Sequence, residues 1–139
     1  TAKTKCVRFL RYGEYIMFGK KQLINNISNE IELLRRDFIM ENMNASVKQT
    51  QVCFIRAIDI LNGMRPRVLE KNMKVQNMDN IGVAYWIVQV AAYEILRDID
   101  SDKDTYFAIA NYVNEKRYNM GHIEKEEYER NIQLAKELS

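Results

Sequence analysis

Apolar positions recur along this chain at helical spacing, and in one segment they surround the whole helix. From Ile81 to Leu96 only Gln89 and Glu94 are strongly polar. A surface helix alternates its faces, whereas a helix that is apolar all round is sheathed by other helices or lies against an apolar surface. The segment is too short and interrupted for the ~20 clean apolar residues of a membrane span. It is therefore expected to be the central helix of a bundle. Any apolar surface left over beside it becomes a candidate for function.

The flanking segments carry narrower stripes. Ile16, Leu23, Ile27, Ile31, Leu34 and Phe38 follow at steps of 7, 4, 4, 3 and 4, one face of a helix from about Phe9 to Glu41. Gly13 and Gly19 fall in its first third, where each costs ~1 kcal/mol against Ala and favours a bend or a late start. Asn42 to Ser46 is the expected turn, with Ser46 as the N-cap of a second helix. Val47, Gln51, Phe54, Ile58 and Leu61 share the face of that helix, with Ile55 beside them, and Gly63 and Pro66 end or kink it. A short helix over Pro66 to Lys71 follows, because proline suits the first helical position. Asn72 to Asn80 is expected to be a polar connection.

Asp79 or Asn80 caps the apolar helix, which ends near Asp98. Asp104 caps the next, with Tyr106, Ile109, Ala110 and Val113 pointing inward and Gly121 as its stop. A last helix runs from about Glu124 to Leu138 on the stripe Tyr128, Ile132, Ala135 and Leu138. Glu124, Glu126 and Glu127 sit in its first turn, where carboxylates suit the helix dipole. Five glycines and one proline leave too few turn residues for an all-β chain, and strand-like alternation appears nowhere at length. The expected fold is all-α, a closed bundle of about five helices with a long antiparallel first hairpin and an apolar central third helix. Residues 1–139 form one domain, long enough to bury a core without staples.

Charge adds an asymmetry that the net value of +2 conceals. Residues 1–74 hold 14 Lys and Arg against 7 Asp and Glu, and residues 75–139 hold 7 against 12. A basic half and an acidic half make a dipole that steers charged partners, unless the charges interleave in space. Thr1 opens the sequence without an apolar run behind it, so a mature or trimmed product, or an excised domain, is expected. Asn26-Ile-Ser28 and Asn44-Ala-Ser46 are glycosylation sequons that permit a secreted origin.

Candidate chemistry is sparse. The one histidine, His122, has no second His and no nearby Cys to complete a zinc site, and reads as a surface or capping residue. No Gly-rich phosphate loop, HExxH or GxSxG occurs, so neither an enzyme nor a cofactor is expected. Asp100, Asp102 and Asp104 have the spacing that opens a calcium loop. Its sixth and twelfth positions are Thr105 and Asn111 where Gly and Glu are required, so no metal is expected. Cys6 and Cys53 are not expected to bridge. In a hairpin turning near residue 44, Cys53 faces residues 35–37. Cys6 then lies ~45 Å further along at ~1.5 Å per residue, against the ~7 Å that a disulfide permits. Cys53 is then a buried apolar residue and Cys6 is free.

The first third carries the remaining signal. Tyr12, Tyr15, Met17 and Phe18 cannot all lie on the stripe of Ile16, Leu23 and Ile27, because successive residues of a helix point ~100° apart. Arg8, Arg11, Lys20 and Lys21 flank them. Aromatic and apolar side chains set among cations suit a membrane-interface, glycan or protein contact. These eight residues are the expected membrane- or partner-binding site.

Three stretches carry a family resemblance. Ser46-Val-Lys-Gln-Thr-Gln-Val-Cys-Phe-Ile-Arg56, the run from Gly82 through Ala92-Tyr93 to Leu96-Arg97-Asp98, and Tyr112-Val-Asn-Glu-Lys-Arg-Tyr-Asn-Met120 resemble successive helices of the abalone sperm acrosomal proteins, the family of sperm lysin and its eighteen-kilodalton fusagenic paralogue. The resemblance covers about residues 46–120, with gaps. Lysin's long tracks of Arg and Lys have no counterpart in this nearly balanced chain, and the second helix is shorter. Lost basic tracks with retained aromatics favour the fusagenic branch. The resemblance implies a secreted, non-enzymatic protein of the acrosomal vesicle that promotes sperm–egg membrane fusion. Its expected partner is a membrane surface or an egg-coat glycoprotein, with a homodimer as a further option and no nucleic acid. The alternatives are lysin-like binding and dissolution of the egg vitelline envelope, and an unrelated helical adaptor or assembly protein.

Overall fold

A computed structural model describes the backbone of residues 12–139 and the side chains of residues 21–139. The described residues are helical with no strand. In chain order the helices are α1 (Tyr12–Glu41), α2 (Val47–Asn62), α3 (Pro66–Gln76), α4 (Asn80–Asp98), α5 (Asp104–Asn119) and α6 (Lys125–Leu138).

The apolar segment is α4, and it packs against α1, α2, α5 and α6. Ten of its residues are buried, including Val83, Ala84, Ile87, Val88, Ala91, Ala92, Ile95 and Leu96. The small residues Ala84, Ala91 and Ala92 let neighbouring backbones approach closely, while the branched ones fill the spaces between. On α1 the stripe buries Ile27, Ile31, Leu34 and Phe38, with Leu23 half-buried; Ile16 lies outside the described side chains. The Phe38 ring meets Tyr112 of α5 edge-on at 5.4 Å between centroids.

Capping fixes where the helices begin and end. The Ser46 Oγ accepts from the Gln49 N–H at 3.1 Å, and the Asp79 carboxylate accepts from the Gly82 N–H at 2.8 Å. Gly121 has φ +78°, the left-handed conformation that glycine adopts without strain. The His122 N–H donates to the Arg117 carbonyl at 2.8 Å and the Gly121 N–H to the Tyr118 carbonyl at 3.0 Å, which closes the end of α5. Asn77, with φ 52°, ends α3 in the same manner.

Four expectations change. The helix at Pro66 does not stop at Lys71 but continues to Gln76, so the polar stretch from Asn72 is largely helix. Its polarity marks a solvated face, with Leu69 alone buried. That helix brings the described total to six rather than about five. On α2 the inward face is Thr50, Cys53, Phe54, Ala57 and Leu61, while Val47, Gln51 and Ile55 are exposed. A polar residue takes a buried position there because the Thr50 hydroxyl donates to the Ser46 carbonyl at 2.7 Å. Lastly, Asp104 is the first helical residue of α5 and Lys103 holds the cap position. The Asp102 Oδ1 accepts the Asp104 N–H at 3.2 Å, and the Lys103 ammonium donates to the Leu138 carbonyl at 2.7 Å.

Cys53 is buried and free, while Cys6 lies outside the described residues. Burial pushes the Cys53 thiol up to about 12, because a thiolate would lose its hydration among apolar neighbours. An unfolded chain releases the proton near pH ~8.5. The folded state therefore holds a proton that the unfolded state has lost. Its contribution is complete below pH ~8.5 and declines as pH rises from there toward about 12. Urea unfolding between pH 9 and 11 is expected to show Cys53→Ala losing stability less steeply than the parent, by ~1 kcal/mol per pH unit. Identical slopes would show that the thiol is not protonated and enclosed as described.

Candidate functional site

Of the eight residues expected to make the contact, only Lys21 has a described side chain, and it is exposed on α1. Arg8, Arg11, Tyr12, Tyr15, Met17, Phe18 and Lys20 lie outside the described side chains. Of the two sequon asparagines, Asn44 is exposed in the α1–α2 turn, and Asn26 is half-buried and accepts from Gln22 at 2.9 Å.

That turn carries an apolar corner. Met40 is 76% exposed, Met43 88% and Val47 62%, three large apolar side chains within eight residues. The turn is short and held by the Asn42 N–H and side-chain amide, which both donate to the Phe38 carbonyl at 2.9 and 3.0 Å. Leu33, a further apolar residue exposed on α1, lies seven positions before Met40 and so on nearly the same face. The spacing of the α1 stripe turns Phe38 inward and so leaves Met40 outward.

A second feature opens beside α4. The only α4 side chain that is both apolar and exposed is Trp86, at 39%. It stands between two concavities. One is a groove lined by Met64, Val68, Leu69, Met73 and Met78, between α3 and the start of α4. The other is a polar cavity of about 810 Å³. Its walls come from the α3–α4 connection (Asn77, Met78, Asp79), from α4 (Trp86, Gln89, Tyr93), and from Arg117, His122, Glu127 and Asn131.

Arg117 is the unusual member. It follows Val113 by four positions on the inward stripe of α5, and only 8% of it is exposed. Its Nη1 donates to the Gln89 Oε1, while its Nε has no partner. None of the ion pairs among the described residues includes it. Burial lowers its pKa below the ordinary value, and Glu127 and Tyr93 act in the opposite direction. An arginine stays protonated through such a shift. The inner wall of the cavity is thus a positive charge bonded to a neutral amide, with the Glu127 carboxylate acting on it from beyond ion-pair distance.

Gln89 is held in turn. Its Nε2 donates to the Tyr93 hydroxyl at 3.1 Å and to the Asn114 Oδ1 at 3.3 Å. The Asn114 amide donates to the Tyr128 carbonyl at 2.9 Å, and the Asn131 amide to the Asn114 Oδ1 at 2.9 Å. Tyr93 reaches the Asn131 carbonyl at 3.3 Å, and burial pushes its hydroxyl up to about 12. These bonds join α4, α5 and α6. His122 is half-buried rather than at the surface. Its ring meets Tyr85 edge-on at 6.1 Å, and its Nδ1 is buried without a partner. A Cβ at Gly82 would crowd the capping Asp79 Oδ1 at 3.3 Å and reach the His122 Nδ1 at an ordinary contact distance of 3.7 Å.

Among the described residues, no cluster of three or more His, Cys, Asp or Glu is placed to hold a metal ion, and Asp100, Asp102 and Asp104 are all exposed. No described helix is long and apolar enough to cross a membrane. Comparison with protein-family models, with curated proteins and with solved structures finds no match.

The polar network was signalled in part by the sequence. Gln89 interrupts an otherwise apolar helix, and Arg117 and Asn114 continue the spacing of Val113 and Ala110 at four-residue steps. Polar residues on a buried stripe imply partners. Asn114→Ala removes the acceptor that Gln89 and Asn131 share and frees the Tyr128 carbonyl. It is expected to cost about 2–3 kcal/mol in urea unfolding. Amide hydrogen exchange should rise first in α6. Wild-type stability with unchanged α6 protection would show that the network does not fasten this helix.

Proposed function

We propose that this chain is a secreted, non-enzymatic fertilisation protein of the sperm acrosomal kind, which promotes membrane fusion through exposed apolar and aromatic surface flanked by cations. The observation that carries the reading is the apolar corner of Met40, Met43 and Val47, exposed by 76, 88 and 62%. Scattered surface apolar residues are ordinary, but three large ones exposed within eight residues at one turn have a reason to meet lipid or a partner. The helical content agrees with the family that the stretches at residues 46–56, 82–98 and 112–120 resemble. The same reading takes the helices as a closed bundle in which α1 and α2 form a long antiparallel hairpin beside the apolar α4.

Physically, the protein lies on the membrane and does not span it. Apolar side chains enter the boundary between headgroups and acyl chains, and each fully buried Met contributes ~1.5–3 kcal/mol. Cations near an acidic surface add ~1 kcal/mol apiece. Arg8, Arg11, Lys20 and Lys21 supply them in the first third, beside Tyr12, Tyr15, Met17 and Phe18. Such a protein perturbs lipid packing without a catalytic group, and the acrosomal vesicle is the compartment that the reading assigns.

Vesicles containing acidic lipid test it by binding, lipid mixing and leakage. The protein is expected to bind and to mix lipids. Met40→Ser with Met43→Ser should weaken binding by about tenfold or more, since ~1.4 kcal/mol is already tenfold. The melting temperature should hold, because neither side chain is in the core. Tyr15→Ser with Phe18→Ser should abolish binding with equally little effect on stability. No binding by the parent protein, or equal binding by both double variants, would sink the reading.

A further inference from the structure

The groove between α3 and the start of α4 differs from the polar cavity in both shape and charge. Its α3 wall is Arg65, Val68, Leu69, Asn72, Met73 and Gln76, one helix face at steps of 3, 1, 3, 1 and 3 that runs from the cap to the last turn. At ~1.5 Å per residue this face is ~16 Å long. Met78, Val83 and Trp86 form the other side. Leu69 and Val83 are buried, while Val68 and Trp86 are exposed by 52 and 39%. A volume of about 380 Å³ spread over that length makes a channel narrower than the ~10–12 Å of a helix with its side chains. An unbranched chain therefore fits it better than a helix does. Methionines suit such an occupant, because their flexible, polarisable side chains adapt to irregular apolar contacts.

Charge points to the end group of that chain. None of the described residues lining the groove is an Asp or Glu, and Arg65 stands at one end of it. None of the ion pairs among the described residues includes Arg65. Arg67 and Lys71 follow on the same helix, and its one carboxylate, Glu70, lies 3.7 Å from the Lys74 ammonium. Asp79, next to Met78, is engaged by the Gly82 N–H at 2.8 Å. We propose that this groove binds one long-chain fatty acid, with its alkyl chain along α3 and its carboxylate at Arg65. Burial of methylenes supplies the affinity. The guanidinium selects an anionic headgroup and sets the direction of the chain. The groove lies past the end of α2, and the corner of Met40, Met43 and Val47 lies at its start, ~24 Å away along a helix of 16 residues. Failure of one site therefore leaves the other reading untouched.

Trp86 is the one tryptophan of the chain, so its fluorescence reports on this groove and not on the apolar corner. Dibromostearate, whose bromines quench indole on contact, is added to the full chain below its aggregation concentration. Quenching is expected to saturate at one fatty acid per chain. Dodecanoate should displace the probe, and hexanoate, half as long, should be about a hundredfold weaker or more. Dodecanol and dodecylammonium should compete about fivefold more weakly than dodecanoate, and Arg65→Gln should remove the preference over dodecanol. Val68→Asp places a carboxylate at an exposed position of the groove. It should weaken the fatty acid by about tenfold or more with little change in melting temperature. The proposal is overturned if quenching does not saturate, if hexanoate competes as well as dodecanoate, or if the preference for the carboxylate survives Arg65→Gln. A dimer in sedimentation that Val68→Asp dissolves would also overturn it, and would give the groove to a second copy of the chain.

Discussion

Arg117 constrains much of this structure. It stands on the inward stripe of α5, four residues beyond Val113, where the helical period turns its side chain toward α4. A guanidinium in that position must find acceptors or lose several kcal/mol. Gln89 supplies one, and that accounts for a polar residue inside an otherwise apolar helix. Gln89 then presents its amide nitrogen to Asn114 and Tyr93, and these carry the bonding to the Tyr128 and Asn131 carbonyls of α6. One buried cation thus explains the placement of several amides and the attachment of the last helix. Such networks favour a unique arrangement when nearly every member is satisfied, and the Arg117 Nε marks where this one stays open.

The apolar contacts and the polar network divide the work between the two sides of α4. Toward α1 and α2 the contact is dry, through Ile27, Ile31, Leu34, Phe38, Phe54, Ala57 and Leu61. Toward the far ends of α5 and α6 it is polar. Trp86 is the apolar α4 side chain that neither sheath covers. It stands where the Met-rich groove of α3 and the polar cavity meet. The apolar corner at the α1–α2 turn has a different origin. A five-residue connection must turn the chain between the buried Phe38 and the buried Thr50; Ile39 and Ala45 pack against the core, and Met40, Met43 and Val47 are left facing outward.

The sequence is most legible where a single physical pattern acts alone. The α1 stripe from Ile27 to Phe38, the enclosed α4, the N-caps Ser46 and Asp79 and the stop at Gly121 follow from periodicity and capping. It is least legible where a local hydrogen bond competes with hydrophobicity. Thr50 is buried through its bond to Ser46, and this turns α2 so that Val47 and Ile55 face solvent. Asn77 ends α3 through a left-handed residue that resembles any polar loop position in the sequence. The cavity was illegible as a place, because Trp86, Arg117 and Asn131 come from three helices whose packing no local spacing specifies. Its members were individually visible as polar residues on buried faces.

A double-mutant cycle between Gln89 and Arg117 tests the central claim most directly. Gln89→Leu and Arg117→Leu are made singly and together, and each is followed by urea unfolding. If the pair is the buried contact described, each single change leaves the other group short of a partner. The double variant should then lose less than the sum of the two, by about 1 kcal/mol or more. Losses that add to within ~0.5 kcal/mol would show two independent residues, and would contradict the account in which Arg117 organises α4, α5 and α6.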